Sequence, residues 1–223
     1  MTSPILVFDL DGTLADTSRD LVPVLNRAIA SQGLPPIEMA DIGYFIGHGA
    51  RAMIEQVYAH HGALLAPEVH NTLFDAFLAD YEANIAVNTI MYDGAVAALE
   101  HFGTAGWTLA VCTNKPERLA LKLLDKLGVL QRFACVTGGD SFAFRKPDPR
   151  HLTQTISLAG AMPENAIMVG DSRTDIDTAK AAGIPVIAVD FGYTDTPVTR
   201  LSPDKVISHF SELAEATRQL QLR

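Results

Sequence analysis

The sequence predicts an α/β fold with a parallel sheet and a large helical insert. Short apolar runs, typical of buried strands, alternate with longer stretches of helical periodicity that are closed by glycine or a loop. Such alternation is typical of parallel strands joined by helices on both faces of a sheet. It is interrupted once, after the first run, where residues 16–87 carry helical patterns and no clear strand.

The predicted strands share β-branched and apolar composition and are bounded by turn residues. They are ILVF (5–8), TLAVC (108–112), FACVT (133–137), AIMVG (166–170), PVIAV (185–189) and the weaker KVI (205–207).

The predicted helices lie between these runs and in the insert. Within the insert, Val69, Leu73, Phe77 and Tyr81 recur at every fourth position, which predicts one apolar helical face. The other predicted helices are GAVAALEHF, PERLALKLLDKLG, DPRHLTQTISLAG, SRTDIDTAKAAG and, after the last strand, SELAEATRQLQL.

Composition restricts the function before any motif is considered. The 223 residues, 48% of them hydrophobic, suffice for one large domain or a domain with an insert. The net charge of −9 argues against nucleic acid or an anionic membrane as a partner, because both need a positively charged face. The chain has no basic, apolar leader and no run of roughly 20 apolar residues, so we expect a cytoplasmic protein. Cys112 and Cys135 lie in apolar runs and are expected to be buried thiols.

Polar side chains follow the predicted strands at the edge where open α/β sheets bind their ligands. One Asp or Thr at such a position is often only a turn or helix-cap residue. Acids, a hydroxyl and a lysine that follow several strands indicate a site instead. These residues are Asp9, Asp11, Thr113, Asn114, Lys146, Asp171 and Asp175.

Two carboxylates, Asp9 and Asp11, come directly after the first strand, where two charges close together are costly to bury. A divalent cation resolves this cost, and Mg²⁺ prefers a few carboxylates together with water and a substrate phosphate. Lys146 and Thr113 supply a positive charge and a hydrogen-bond donor for that phosphate. In such a site Asp9 is the natural nucleophile and Asp11 the natural proton carrier.

Four motifs in order make this chain similar to the haloacid dehalogenase superfamily of phosphatases over essentially its whole length. They are DLDGT (9–13), Thr113, Lys146 and GDSRTD (170–175). The resemblance implies a Rossmann-like parallel sheet core and an inserted α-helical cap domain that selects the substrate. The implied domains are residues 1–15 with 88–223 for the core and 16–87 for the cap.

The resemblance also implies a role for each residue. Asp9 would form an aspartyl-phosphate, and Asp11 would protonate the leaving alcohol and then activate water. The implied Mg²⁺ ligands are Asp9, the backbone carbonyl of Asp11 and Asp171, with Asp175 supporting the metal shell. The implied phosphate ligands are Thr113, Asn114 and Lys146.

Other branches of the superfamily fit this sequence less well. Phosphonate-cleaving relatives need a cap lysine, but no lysine precedes Lys115. Relatives similar to β-phosphoglucomutase have a cap histidine and a glutamate where this chain has Leu21 and Gly170. Dehalogenases do not keep the second aspartate of DLDGT, which is Asp11 here.

A closer resemblance is to the bacterial phosphoglycolate phosphatases. It rests on IGHGARAMI, AVCTNKP, GGDSFAFRKPDP and FGYTDTPV. The resemblance implies hydrolysis of 2-phosphoglycolate, a small phosphorylated metabolite, by a monomer or homodimer. Phosphatase activity on another small sugar phosphate, or a phosphomutase reaction, is the alternative.

The stretch IGHGARAMI is the predicted specificity segment of the cap. Gly47 and Gly49 open a predicted helix whose N–H groups suit a carboxylate, and Arg51 adds a positive fork. A solvated helix arginine is the alternative for Arg51, and a polar turn residue is the alternative for His48. The stretch also half-matches a dinucleotide fingerprint, but no clear strand precedes it. Lys115 has two open interpretations: it lies near the phosphate, or it lies behind the residues that bind the phosphate or in solvent.

Overall fold

The computed structural model describes residues 3–47 and 49–221. Its strands follow the predicted runs closely, with two short additions near the insert. They are β1 (Ile5–Phe8), β2 (Ala15–Asp16), β3 (Ile90–Met91), β4 (Thr108–Cys112), β5 (Cys135–Thr137), β6 (Ala166–Gly170), β7 (Val186–Val189) and β8 (Lys205–Ile207).

Six of these strands form one parallel sheet in the order β5-β4-β1-β6-β7-β8. The first strand therefore lies in the middle, paired with β4 on one side and β6 on the other. The predicted α/β fold class is confirmed. The strand predicted at 185–189 begins one residue later, because Pro185 has no N–H for the ladder, although its carbonyl accepts from Met168 N at 2.9 Å.

The α-helices occupy the predicted intervals. They are α1 (Ser18–Ala30), α2 (Ala50–His60), α3 (Pro67–Ala83), α4 (Ala95–Thr104), α5 (Glu117–Lys126), α6 (Pro149–Leu158), α7 (Arg173–Ala182) and α8 (Leu213–Gln221). In the described residues, none of these helices is both long and apolar enough to cross a membrane.

The insert is helical, with α1, α2 and α3 between β2 and β3. The period-four pattern in α3 buries Leu73, Phe77 and Tyr81, while Val69, near the start of the helix, is half-buried. The antiparallel pair β2–β3 joins the two ends of the insert. Sequence patterns missed these strands because each has only two residues. The domain division at 15/16 and 87/88 stays a prediction.

The core is packed on both faces of the sheet, as parallel strands require. Along β1, Ile5 and Val7 face a cluster that includes apolar residues of α6 and α7. Leu6 and Phe8 face the opposite cluster, which continues without a break into α1, α2 and α3. The insert therefore packs on the face of the sheet that is lined by Leu6 and Phe8.

Candidate active site

Asp9 and Asp11 lie at the carboxyl end of β1, as the sequence predicts. Asp9 is only 5% exposed, and its backbone N–H donates to Val169 O on β6 at 2.9 Å. The turn after Asp11 needs glycine, because Gly12 has a φ of +84° and a Cβ there would lie 2.4 Å from Asp171 Oδ2. This absence of a side chain lets the β1 turn approach the end of β6 closely.

Asp171 directly follows β6, and both of its carboxylate oxygens accept hydrogen bonds. Thr13 Oγ1 donates to Oδ1 at 2.7 Å, and the backbone N–H of Tyr193 donates to Oδ2 at 2.7 Å. A carboxylate oxygen has a second lone pair, so these bonds fix the orientation of Asp171 without preventing it from binding a cation.

Asp175 lies in the first turn of α7 and has a different set of partners. Its Oδ2 accepts from the N–H and hydroxyl of Ser172, the N-cap residue, which completes a capping box. Its Oδ1 accepts from Lys146 Nζ at 2.6 Å. A Cβ at Gly170 would lie 2.3 Å from Asp175 Cβ. Glutamate at position 170, typical of the phosphoglucomutase-like relatives, is therefore incompatible with this position of Asp175.

Lys146 lies between two carboxylates at the centre of the cluster. Its side chain is 1% exposed, and Nζ is 2.6 Å from Asp175 Oδ1 and 3.0 Å from Asp9 Oδ1. Burial disfavours the charged amine, but the attraction of Asp175 and Asp9 outweighs burial and raises the pKa of Lys146. The lysine is therefore a permanent positive charge beside Asp9.

The three buried carboxylates at this edge suit a divalent cation. Asp9, Asp171 and Asp175 each offer an oxygen, and these atoms lie within 4.8 Å of one another. Burial raises the pKa of Asp9 to about 6 despite the opposing charge of Lys146. Burial and the charges of Asp175 and Asp9 raise the pKa of Asp171 well above its usual value. The ionised form of these carboxyl groups is therefore destabilised, and a cation would stabilise it. Their oxygens are hard donors, which Mg²⁺ prefers.

Thr113 and Asn114 follow β4 on the other side of β1. Thr113 is 1% exposed and its Oγ1 accepts from the N–H of Lys115 at 3.2 Å, so its own proton remains available to an anion. Asn114 Nδ2 instead donates to the carbonyls of Gly47 at 3.2 Å and Lys146 at 3.0 Å. Asn114 thus joins the glycine turn of the insert to the lysine loop of the sheet.

A cavity of about 500 Å³, including its mouth, lies between the sheet edge and the insert. Asp9, Asp11, Thr113 and Asn114 line its sheet side, and apolar side chains of the insert line the other side. Leu21, which stands where the phosphoglucomutase-like relatives have a histidine, is one of those apolar residues.

The predicted specificity segment is only partly in this cavity. Gly47 and Gly49 line it, and α2 begins directly afterwards at Ala50. Arg51 is not among the lining residues: its Nη1 donates to Asn71 Oδ1 at 2.9 Å, and its guanidinium lies 3.9 Å from the centre of the Phe74 ring. His48 lies outside the described residues.

One residue at this site had two open interpretations from the sequence, and two others had no predicted role in it. Lys115 is buried and its Nζ lies 2.9 Å from Asp11 Oδ1, so the solvent position is wrong. Tyr193 was missed: it holds Asp171 through its N–H, and its hydroxyl contacts Asp16 and Ser18 at the start of the insert. Tyr81 was assigned only to an apolar helical face, yet it lines the cavity. The only sequence signal for Tyr193 was the stretch FGYTDTPV, which contains this residue.

This chain is similar to known proteins in both sequence and fold. The family described as haloacid dehalogenase-like hydrolase matches residues 6–189. A protein of Mesorhizobium japonicum named phosphoglycolate phosphatase is 52% identical over 213 residues, which cover 96% of this chain and 94% of that protein. A protein of Agrobacterium fabrum with the same name is 47% identical and covers 96% of this chain and 92% of its own length.

A solved structure has the same fold over nearly the full length of both chains. It is described as a predicted phosphoglycolate phosphatase from Haemophilus somnus 129pt, with a TM-score of 0.90 and 27% sequence identity. The superposition covers 97% of this chain and 99% of that chain.

Proposed function

The chain belongs to the haloacid dehalogenase-like hydrolase family and is a phosphatase, and on this basis we propose that it hydrolyses 2-phosphoglycolate with Mg²⁺ through an aspartyl-phosphate. The observation that carries the proposed mechanism is the group of Asp9, Asp171 and Asp175 oxygens within 4.8 Å of one another, with Lys146 paired to two of the three residues. The substrate is supported by the two relatives named phosphoglycolate phosphatase.

The proposed metal ligands are Asp9, the backbone carbonyl of Asp11 and Asp171. Bound Mg²⁺ would neutralise the negative charge on the phosphoryl oxygens. Asp175 has both oxygens bonded, one to Lys146 and one to Ser172, so we assign it to position the lysine and support the metal ligands.

The proposed phosphate site uses Thr113 and Lys146. The free hydroxyl proton of Thr113 would be donated to a phosphoryl oxygen, and Lys146 would stabilise the charge that develops during transfer. Asn114 was also predicted to bind phosphate. Because both amide protons of Asn114 are donated to carbonyls, we propose that it acts mainly by fixing the loops around the phosphate.

The proposed reaction has two steps. An Asp9 oxygen attacks phosphorus, the bond from phosphorus to the glycolate oxygen breaks, and Asp11 donates a proton to that oxygen. Asp11 then takes a proton from water, whose oxygen attacks the phosphorus of the aspartyl-phosphate. The bond between Asp9 and phosphorus breaks, which releases inorganic phosphate and regenerates both carboxyl groups in their starting states.

We propose that residues 16–87 act as the cap that excludes water and selects the substrate, over a core of residues 1–15 and 88–223. The apolar cavity wall and the hydrogen bond from Asn114 to Gly47 support this role. The roles of Arg51 and His48 in specificity, the monomeric or homodimeric state and the cytoplasmic location stay predictions.

The test is phosphate release from a panel of phosphorylated metabolites, with Asp9→Asn as the matched inactive control. We expect the highest kcat/KM for 2-phosphoglycolate, loss of activity after dialysis against EDTA, and recovery with Mg²⁺. A higher kcat/KM for a sugar phosphate would overturn the substrate. A phosphoryl group moved within the substrate would indicate a mutase. Full activity in excess EDTA would contradict the proposed requirement for Mg²⁺.

A further inference from the structure

We propose that Lys115 and Tyr81 together bind the carboxylate of the substrate and so give the cavity its preference for small phosphorylated hydroxy acids. This inference rests on the function proposed above and assigns the specificity of the same site. It places the carboxylate between the end of β4 and α3, and not at Arg51 on α2.

Lys115 holds a buried positive charge beside the proposed proton donor. Its side chain is 4% exposed, and Nζ lies 2.9 Å from Asp11 Oδ1 and 3.3 Å from Asp11 Oδ2. In the proposed reaction Asp11 contacts the ester oxygen of the substrate. The carboxyl carbon of 2-phosphoglycolate is separated from that oxygen by a single methylene, so its carboxylate would lie next to Lys115.

The charges around the cavity leave few positions where a carboxylate is favoured. The Asp9 carboxylate repels it on the sheet side, and the apolar side chains of the insert offer it no hydrogen bond. Among the described residues that line the cavity, Lys115 is the only lysine or arginine. A charge-assisted hydrogen bond in such a buried site is stronger than one in water.

Tyr81 supplies an independent observation that points to a ligand. The residue is buried and lines the cavity, and its hydroxyl proton has no acceptor among the described residues, since the neighbouring Lys115 ammonium can only donate. Buried hydroxyls are almost always bonded, so an unbonded one at a cavity indicates a missing partner. The ammonium of Lys115 lies 4.3 Å from the centre of the Tyr81 ring, so the two side chains are neighbours at the cavity. Burial raises the pKa of Tyr81 to about 12, which keeps the proton on the hydroxyl for donation.

Arg51 is less suited to this role in the structure. Its guanidinium is bonded to Asn71 and stacked on Phe74, both on α3, and the residue does not line the cavity. Arg51→Ala is therefore the matched control, because it removes a positive charge of the insert without touching Lys115 or Tyr81.

The test compares 2-phosphoglycolate with ethyl phosphate, which has a methyl group in place of the carboxylate. Lys115→Met should lower kcat/KM for 2-phosphoglycolate roughly tenfold to a hundredfold more than for ethyl phosphate, as expected for a hydrogen bond to a charged group. Tyr81→Phe removes only the hydroxyl and leaves the pair of Lys115 and Asp11 intact. It should lower the same ratio about threefold to tenfold.

A binding measurement separates recognition from turnover. In the Asp9→Asn background, calorimetry should show that both variants weaken binding of 2-phosphoglycolate and leave binding of ethyl phosphate nearly unchanged. Equal losses on both compounds in both variants, or a selective loss in Arg51→Ala alone, would overturn the proposal. If wild-type protein prefers another carboxylated phosphoester and that preference depends on Lys115 and Tyr81, the substrate proposed above fails and the carboxylate site stands.

Discussion

Lys146 Nζ lies 2.6 Å from Asp175 Oδ1, and both side chains are almost completely buried. Asp175 is in turn fixed by Ser172, which donates to its other oxygen from both the N–H and the hydroxyl. The start of α7 therefore determines where the lysine charge is held, beside Asp9.

Asp175→Asn should weaken this arrangement without removing a proposed metal ligand. The amide has one acceptor oxygen, so its NH₂ group must face either Lys146 or the donors of Ser172, and one bond is lost. We expect kcat to fall about a hundredfold, the scale of losing one charge-stabilising contact in the transition state. Steady-state kinetics with a Mg²⁺ titration should show a smaller change in metal affinity than in Asp171→Asn.

The control for this prediction is Asp204→Asn. Asp204 Oδ2 accepts from Val186 N at the amino end of β7, at the opposite edge of the sheet from the site. The Asp204→Asn variant should keep the wild-type kcat and KM. A Mg²⁺ affinity lost equally in Asp175→Asn and Asp171→Asn would instead make Asp175 a direct ligand.

Asp9→Asn should abolish turnover and stabilise the metal-free protein above neutral pH. Burial raises the pKa of Asp9 from 3.8 to about 6, so the folded state holds a proton that the unfolded state releases. The stability that Asp9 contributes is therefore fully present below pH 3.8 and is lost as the pH rises through about 6. The amide stays neutral, so in EDTA at pH 8 the variant should be about 3 kcal/mol more stable than wild type, an advantage that disappears near pH 4.

Thermal melting in EDTA and in Mg²⁺ checks this prediction. Mg²⁺ should raise the Tm of wild type more than that of Asp9→Asn, because the ion binds the folded carboxylates preferentially. An advantage of the variant that is the same at both pH values, or equal Mg²⁺ shifts in both proteins, would contradict it.

The sheet and its catalytic edge could be predicted because they depend on local patterns. Apolar runs placed β1, β4 and β6, and the residues after them, Asp9, Thr113 and Asp171, lie together because parallel strands end at one edge. Two-residue strands carry no such periodicity, and β2 and β3 were missed.

The contacts between distant segments could not be predicted in the same way. The Tyr193 hydroxyl accepts from the N–H of Ser18, 175 positions earlier in the chain. A tyrosine in the sequence is equally compatible with an ordinary core position, so this contact could not be predicted. Tyr81 has the period of a buried helix face, and only the position of α3 beside Lys115 brings this residue to the cavity. Lys115 had two open interpretations because burial of a lysine depends on its partner, which here is Asp11 in the turn after β1.

Asp11→Asn should separate the two steps of the proposed reaction. p-Nitrophenolate leaves without protonation, so transfer of the phosphoryl group to Asp9 should stay fast with p-nitrophenyl phosphate. Water is no longer activated, so the aspartyl-phosphate should persist, and rapid mixing should show a burst of nitrophenol near one equivalent per site before a slow steady phase. With 2-phosphoglycolate both steps need Asp11, so turnover should fall roughly 10²- to 10⁴-fold without a burst.

Lys115→Met is the matched control for Asp11→Asn, because it breaks the same ion pair but leaves the Asp11 carboxyl group in place. It should give no burst with p-nitrophenyl phosphate, since water activation is retained. Nitrophenol release that is linear from the start in Asp11→Asn, and slowed by the same factor as phosphoglycolate hydrolysis, would mean that Asp11 does not carry the proton in either step. A burst in both variants would assign the effect to the loss of the ion pair, because the loss of the carboxyl group is confined to one of them.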